Sequence, residues 1–486
     1  MLRLAAGHIP SRKGPLAVAA AAVLAFCLIV PMASGPPWIV SYADPVSEKT
    51  NATDDAYLYL GAVSCSGSAC HGSTTPRDKL KIAQNEFFIW SEKDTHTKAY
   101  EVLTKPDAKI IAKNLKIPKA EESDRCLVCH AVSVPPERQG SLYEITEGVS
   151  CEGCHGAAEK WLGSHIRKDF DMQKGVQLGM YPTKDFGKRA ERCLGCHAGA
   201  EGKVVDHELI GAGHPRLKFE LDVYSSKMPA HWRPPKDKQA ADWLGARAWA
   251  IGQAGAFRNE MKLLTSSRRS RAGIWPDLIH FDCYACHHPV VDHLKRLNEE
   301  DKNEQRWRFR EYDGKPGRLV WNSSSYSVLR HLLNQVSPED AKTLDQLIKV
   351  FHEGLTGKGV SAETFGTTLT RLSDMSDKLV TTVSQQTFTQ PIVLSLMRNI
   401  SGDGKRLAAA GFQSAEQAVL AVASLYDAYK DAVGPPPDAK AIMEAIDGLY
   451  KTIQDARYFS APAFEASMTK VHRLFQRIGA APAPTS

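Results

Sequence analysis

Apolar residues recur at helical spacing through the C-terminal third of the chain. Ala341, Leu344, Ile348, Phe351 and Leu355 form one stripe, and Phe365, Leu369, Leu372, Leu379 and Val383 a second. Val419, Val422, Tyr426 and Tyr429 form a third, followed by Ile442, Ile446, Leu449 and Ile453, then Phe464, Met468, Val471, Phe475 and Ile478. Steps of three and four residues put each set on one face of a helix. Local signals agree. Ser337-Pro338-Glu-Asp340 supplies a cap, a first-turn proline and an acid, and Gly434-Pro-Pro-Pro437 ends a helix. Ser414-Ala-Glu-Gln417 reads as a capping box. Residues 321–479 therefore predict an antiparallel bundle of about six or seven helices. Packing, docking and dimerisation are all open to such a bundle, and it carries no catalytic constellation.

The pattern changes upstream. Between residues 61 and 300 Gly and Pro are frequent, and short helices between loops are expected. The clearest helix there runs from Asp242 to Leu264, with Trp243, Ala250, Ala254, Phe257, Met261 and Leu264 on one stripe broken by Arg247. Residues 301–320 read as a charged linker, 44–60 as an extended leader and 480–486 as a tail. At the N-terminus, Arg3, Arg12 and Lys13 precede the unbroken apolar run Leu16–Val30, and Ser41-Tyr42-Ala43 follows. Residues 1–43 read as an export signal. The rival reading is an uncleaved membrane anchor through residues 14–40. Both put residue 44 onward outside the cytoplasm, because the basic flank stays inside.

Of 486 residues, 43% are hydrophobic and 24% charged, which fits a globular body. The 61 basic and 55 acidic residues leave a formal charge of +6, too small and scattered to argue for nucleic acid. No phosphate-cradling glycine loop, nucleophile elbow or H-E-x-x-H motif is present.

The eleven cysteines change the picture. Cys27 lies in the N-terminal apolar run; the other ten form five pairs between residues 65 and 286, and a histidine follows every second cysteine. Cys126-x-x-Cys129-His130, Cys151-x-x-Cys154-His155, Cys193-x-x-Cys196-His197 and Cys283-x-x-Cys286-His287 are strict C-x-x-C-H motifs. Cys65-Ser-Gly-Ser-Ala-Cys70-His71 is a wider variant. Two thiols at this spacing reach the two vinyl groups of one haem, and the next residue offers an imidazole to the iron. Disulfides or tetrathiolate zinc sites give no reason for the repeated histidine. The expectation is five covalently attached haem c groups. Each ferric haem c adds about one negative charge when both propionates are ionised, so the basic sequence is a poor guide to the holoprotein surface.

The remaining histidines decide whether any iron keeps an open face. His96, His165, His207, His214 and His231 are the leading candidates for sixth ligands, since Gly, Pro or Trp surrounds most of them. His96, Tyr100 and Leu103 recur at helical spacing, which predicts a short helix turning the imidazole inward. His280, His288 and His293 crowd the last motif, and His331, His352 and His472 sit in the helical C-terminal patterns. Trp90, Trp161, Trp232, Trp243 and Trp249 suit either a porphyrin face or an ordinary core.

The Gly-x-x-Ser-Cys start, Trp90…His96…Tyr100, Cys126–His130, Gly-Val-Ser-Cys-Glu-Gly-Cys-His155-Gly and Gly213-His214-Pro-Arg-Leu together resemble the multihaem cytochrome c554-type family over about residues 57–295. The resemblance implies that His96 is a distal ligand. It also implies that one haem can lack a protein ligand on its distal face. The fifth, wider motif and the long helical C-terminus depart from the family pattern. The fold expected is mainly α: a pentahaem cytochrome c domain over 44–300, with short helices and loops around the haems, then the helical bundle over 321–479. The expected function is electron transfer between periplasmic or membrane redox proteins. The alternative is an oxidoreductase acting on a small nitrogen or sulfur compound at one five-coordinate haem.

Overall fold

The computed structural model describes residues 40–42, 57–80, 82–233, 243–270, 273–283, 287, 319–356 and 359–479. These residues are mainly helical, as the apolar spacing predicts. The one strand pairing among them is antiparallel and short: β1 (Val40–Tyr42) against β2 (Gly273–Trp275), with Val40 opposite Trp275. Residues 1–39, including most of the expected signal or anchor, lie outside the described part, as do Cys286, His288, His293 and nearly all of the expected linker. No described helix is long and apolar enough to cross a membrane.

Eight short helices come first: α1 (Glu86–Lys93), α2 (Pro106–Asn114), α3 (Asp124–His130), α4 (Cys151–His155), α5 (Met172–Gln177), α6 (Phe186–His197), α7 (His207–Ala212) and α8 (Leu221–Lys227). The long α9 (Leu244–Ser270) follows. The C-terminal region contains α10 (Ser324–Ser327), α11 (Leu329–Val336), α12 (Pro338–Leu355), α13 (Ala362–Ser384), α14 (Gln390–Gly402), α15 (Gly404–Ala409), α16 (Phe412–Val433), α17 (Ala439–Thr452) and α18 (Ala461–Arg477). Every apolar stripe named for residues 341–478 is buried.

Local signals hold with instructive exceptions. Pro338 takes the first position of α12, but the Ser337 hydroxyl donates to the Asp340 carboxylate at 2.9 Å instead of capping a backbone N–H. The helix expected to be capped by Ser414 begins earlier, at Phe412, after Gly411 with φ 101. Ser414 is thus inside α16, fully buried and 3.0 Å from the Ser327 hydroxyl. Trp243 is not part of α9; it precedes the helix with φ 63. His96 sits in a 3-10 turn (Thr95–Lys98) followed by another (Glu101–Thr104), not in one helix, because the Asp94 carboxylate accepts the His96 amide and caps the turn.

One hydrophobic core runs from Ala190 and Leu194 through α8 and α9 to Ile478. Trp249, Ala250, Ala254, Phe257, Met261 and Leu264 of α9 are completely buried in it. Side chains such as Phe257 and Met261 contribute about 1.5–3 kcal/mol each when removed from water. Gly255 lets α6 lie against α9: a Cβ there would stand 2.7 Å from Leu194 Cδ1. The third strict C-x-x-C-H motif is thereby seated on the bundle core. Upstream the apolar core is thin. Its separate cluster is Leu103, Ala112, Ala120, Leu127 and Ala131. So small a cluster is a poor core for a region of this length.

Candidate haem centres

Three of the cysteine pairs are each presented by a single turn of helix. Cys126–His130 closes α3, Cys151–His155 makes up α4, and Cys193–His197 ends α6. In a helix, residues i, i+3 and i+4 share a face, so both sulfurs and the imidazole project to one side. At the last motif the His287 amide donates to the Cys283 carbonyl at 2.8 Å. The first motif differs. Its amides at Cys70 and Gly72 both donate to the Gly67 carbonyl, at 2.8 and 3.0 Å, which folds the two extra residues into a tight loop. Gly72 is needed there, because a Cβ would stand 1.8 Å from the Ser66 carbonyl oxygen.

The five histidines that follow cysteine pairs each face one of the five candidate distal histidines. The ring centroids are 6.2 Å apart for His71 and His165, 6.0 Å for His96 and His197, and 6.3 Å for His130 and His214. They are 6.4 Å apart for His155 and His231 and 6.0 Å for His207 and His287. A metal–imidazole bond is about 2 Å and the ring centre lies about 1.1 Å beyond the nitrogen, so two imidazoles on opposite faces of one iron stand about 6.3 Å apart. All five pairs have that spacing. His280 is not in a pair; it is buried 4.0 Å from the Glu260 carboxylate. His331 bonds Asp403 and His472 bonds Ser401, both inside the helical C-terminus.

Several rings are oriented through Nδ1, which leaves Nε2 for a ligand. Nδ1–H of His71 donates to Glu86 at 3.0 Å and that of His96 to Asp94 at 2.8 Å. His130 donates to the Ala99 carbonyl at 2.8 Å, His165 to Leu162 at 2.6 Å and His214 to Pro215 at 2.7 Å. Burial, with the neighbouring His231 adding to it, pushes His155 down to about 4. Burial and then His96 push His197 down to about 4. His214 and His231 are also lowered by burial. These rings are therefore neutral, the state a metal ligand requires. His96 moves the other way, raised by its hydrogen bond to Asp94.

Two further observations fit a bulky, apolar, anionic group among these side chains. The first is the thin core upstream of α6. The second is a set of arginines, Arg189, Arg192 and Arg258, that pair with no carboxylate among the described residues. The Nε atoms of Arg192 and Arg258 are buried without a hydrogen-bond partner. Arg192 lies 3.8 Å above the Tyr181 ring and close enough to Cys193 to lower its thiol, although burial outweighs this and raises Cys193 to about 12. Haem propionates would supply the missing negative charge.

The motifs adjoin one another. Cys65 lies close enough to Cys151, and Cys129 to Cys196, for the two thiols of each pair to shift one another's titration. Cys154 lies within electrostatic reach of both Cys193 and Cys196. His207 opens α7, and His214 follows the same helix across Gly213, whose φ is 120. Trp161 and Trp232 pack edge-on beside His165 and His231, whereas Trp249 belongs to the bundle core. Sequence reasoning missed Glu86, Asp94 and Phe219, the last of which stacks on His197 at 4.9 Å. An Asp two residues before a candidate histidine was a usable signal for Asp94; no local signal marks the other two.

The family model for cytochrome c554 and c-prime matches residues 64–156. The chain is 34% identical over 148 residues to cytochrome c-554 of Nitrosomonas europaea, a stretch that covers 27% of this chain and 60% of that protein. No solved structure matches the chain. A stretch of the chain is therefore similar to cytochrome c554, within the span where its motifs resemble that family.

Proposed function

We propose that the chain is an exported multihaem c-type cytochrome that transfers electrons between periplasmic or membrane redox proteins. The observation that carries this reading is the facing of every motif histidine by a second histidine at 6.0–6.4 Å. Cys65 and Cys70, Cys126 and Cys129, Cys151 and Cys154, Cys193 and Cys196, and Cys283 and Cys286 would hold five haem c groups through thioethers. His71, His130, His155, His197 and His287 would be proximal ligands. His165, His214, His231, His96 and His207, in that order, would be their distal partners. Bound haem supplies reversible one-electron chemistry.

The residues of the chain do the rest. With haem bound, a histidine of each facing pair would stand on either side of the iron, which would favour a carrier over an enzyme that binds substrate at an open face. Glu86 and Asp94 hold the Nδ1 protons of His71 and His96, and Arg192 and Arg258 await carboxylates. With haem bound, the neighbouring cysteines would put the centres in one series: first motif, third, fourth, second, then fifth by way of α7. Both ends of that series are solvent-facing, at Cys70 and at Cys283 and His287, and these are the places for redox partners to dock. In this reading residues 44–300 bear the centres, residues 321–479 form the bundle, and residues 1–43 direct export.

The test is a haem count by pyridine haemochromogen on purified holoprotein, with the mass of the mature chain and its ferric EPR spectrum. Five haems, all low-spin and unmoved by nitrite, hydroxylamine or cyanide, are expected. A stoichiometric high-spin haem that binds one of these would overturn the carrier reading in favour of an oxidoreductase. A bare apoprotein mass would remove haem altogether.

A further inference from the structure

The helical C-terminus, which lies beyond the matched segment, reaches a candidate ligand directly. Residues 215–219 run between α7 and α8 without helix or strand. Among the described residues, no backbone–backbone hydrogen bond involves them. Their position depends on side chains of the first two turns of α16. Glu416 is only 2% exposed, and both its oxygens are used: Oε2 accepts from Arg216 at 2.6 Å and Oε1 is ion-paired with Lys218 Nζ at 3.0 Å. The adjacent Gln417 donates through Nε2 to the Phe219 carbonyl at 3.2 Å. Arg216 also lies over the Phe412 ring, 5.3 Å from its centre.

The gripped segment joins two candidate centres. His214 stands two residues before Arg216, with its ring directed at His130, 6.3 Å away. Phe219 ends the segment and stacks on His197, with planes 23° apart. Phe219 anchors the far end of the segment in the core, and the carboxylate buried between two cations sets where its Arg216–Lys218 stretch can lie. The Nδ1 bond from His214 to Pro215 transmits the setting to the imidazole.

We propose that Glu416 is a positioning residue for His214, so that the helical C-terminus acts as a brace keeping the sixth ligand of the second-motif centre in place. This rests on the haem-ligation reading above. Loosening the brace lets His214 withdraw and leaves one iron open to a small ligand.

The experiment uses full-length holoprotein and reads spin state by ferric EPR and carbon monoxide uptake after reduction. Glu416→Gln is expected to keep all five haems but to take carbon monoxide uptake from none toward one equivalent per chain, with a matching high-spin ferric signal. Glu416→Asp, which retains the charge, is expected to return most of the low-spin signal. Asp340→Asn removes another largely buried carboxylate, one paired with Lys378 of α13 and not with the His214 segment; it is expected to lower thermal stability with no change of spin state. If Glu416→Gln does not fold, Arg216→Gln leaves the Glu416–Lys218 contact and is expected to open the same site in part. A Glu416→Gln or Arg216→Gln protein that is folded, fully loaded and entirely low-spin overturns the brace. Wild-type protein without haem removes the ligation reading instead, so the two failures are told apart.

Discussion

The imidazole rings of His71 and His165 lie 12° from parallel. The His207–His287 planes meet at 30°, whereas the other three pairs are crossed at 77°, 87° and 90°. The mutual angle of two axial imidazoles governs how far two of the iron's d orbitals are split. Parallel rings separate them; crossed rings leave them nearly degenerate and make the ferric signal strongly anisotropic. The ferric EPR spectrum is therefore expected to contain two rhombic low-spin components and three with a large maximum g value. Five equivalent rhombic signals would contradict the ring geometry.

Glu86 and Asp94 each accept an imidazole proton, while His130, His165 and His214 donate to neutral carbonyls. A carboxylate partner makes the opposite ring nitrogen more basic and favours ferric iron. Glu86→Gln and Asp94→Asn should each raise the midpoint potential of one haem by about 60 mV, the one-electron equivalent of a tenfold change in affinity. Spectroelectrochemical titration checks this. An unchanged or lowered potential in both variants would count against the carboxylate contacts.

Gly72 closes the loop of the wide first motif, and a Cβ there would collide with the Ser66 carbonyl. Gly72→Ala is expected to disorganise that loop alone, reducing the haem count from five to four by pyridine haemochromogen while the other Soret bands persist. Retention of all five would mean the loop relaxes without cost.

Glu220 caps α8, accepting the amides of Asp222 and Val223 at 3.0 and 2.8 Å, and is 1% exposed. Burial, with the nearby Asp222 carboxylate adding to it, pushes Glu220 up to about 8. The folded state thus keeps a proton that the unfolded chain releases near its ordinary value of 4.5. The associated stability is complete below that value and is lost as pH rises toward 8, by about 5 kcal/mol in all. Asp222 is raised by burial too and contributes with the same sign. Urea unfolding at pH 5.5 and 8.5 should show the loss, and Glu220→Gln should flatten most of it. An undiminished pH slope in the Gln variant would exclude Glu220 as its source.

Much of this was legible in the chain because the signals are local. The stripes from Ala341 to Ile478 report burial one helical turn at a time, and a C-x-x-C-H motif is complete within five residues. The limits were equally local. Ser414 reads as a helix cap, yet its hydroxyl answers Ser327, 87 residues away. His96 reads as helical by spacing, yet Asp94 turns it into a 3-10 segment. Glu416 lies between Ser414 and Gln417, the two halves of the apparent capping box, and is in fact the counterion of Arg216 and Lys218.

By itself, then, the sequence determined the helical character of the chain, the five cysteine pairs with their following histidines, and the set of five further histidines able to face them. Covalent spacing and helical periodicity are enough for those. Which of these further histidines faces which motif histidine was decided only in three dimensions. So were the order in which the motifs adjoin and the grip of α16 on the His214 segment. Those contacts join residues as far apart as Arg216 and Glu416, and a relation across 200 positions leaves no periodic trace in a single sequence.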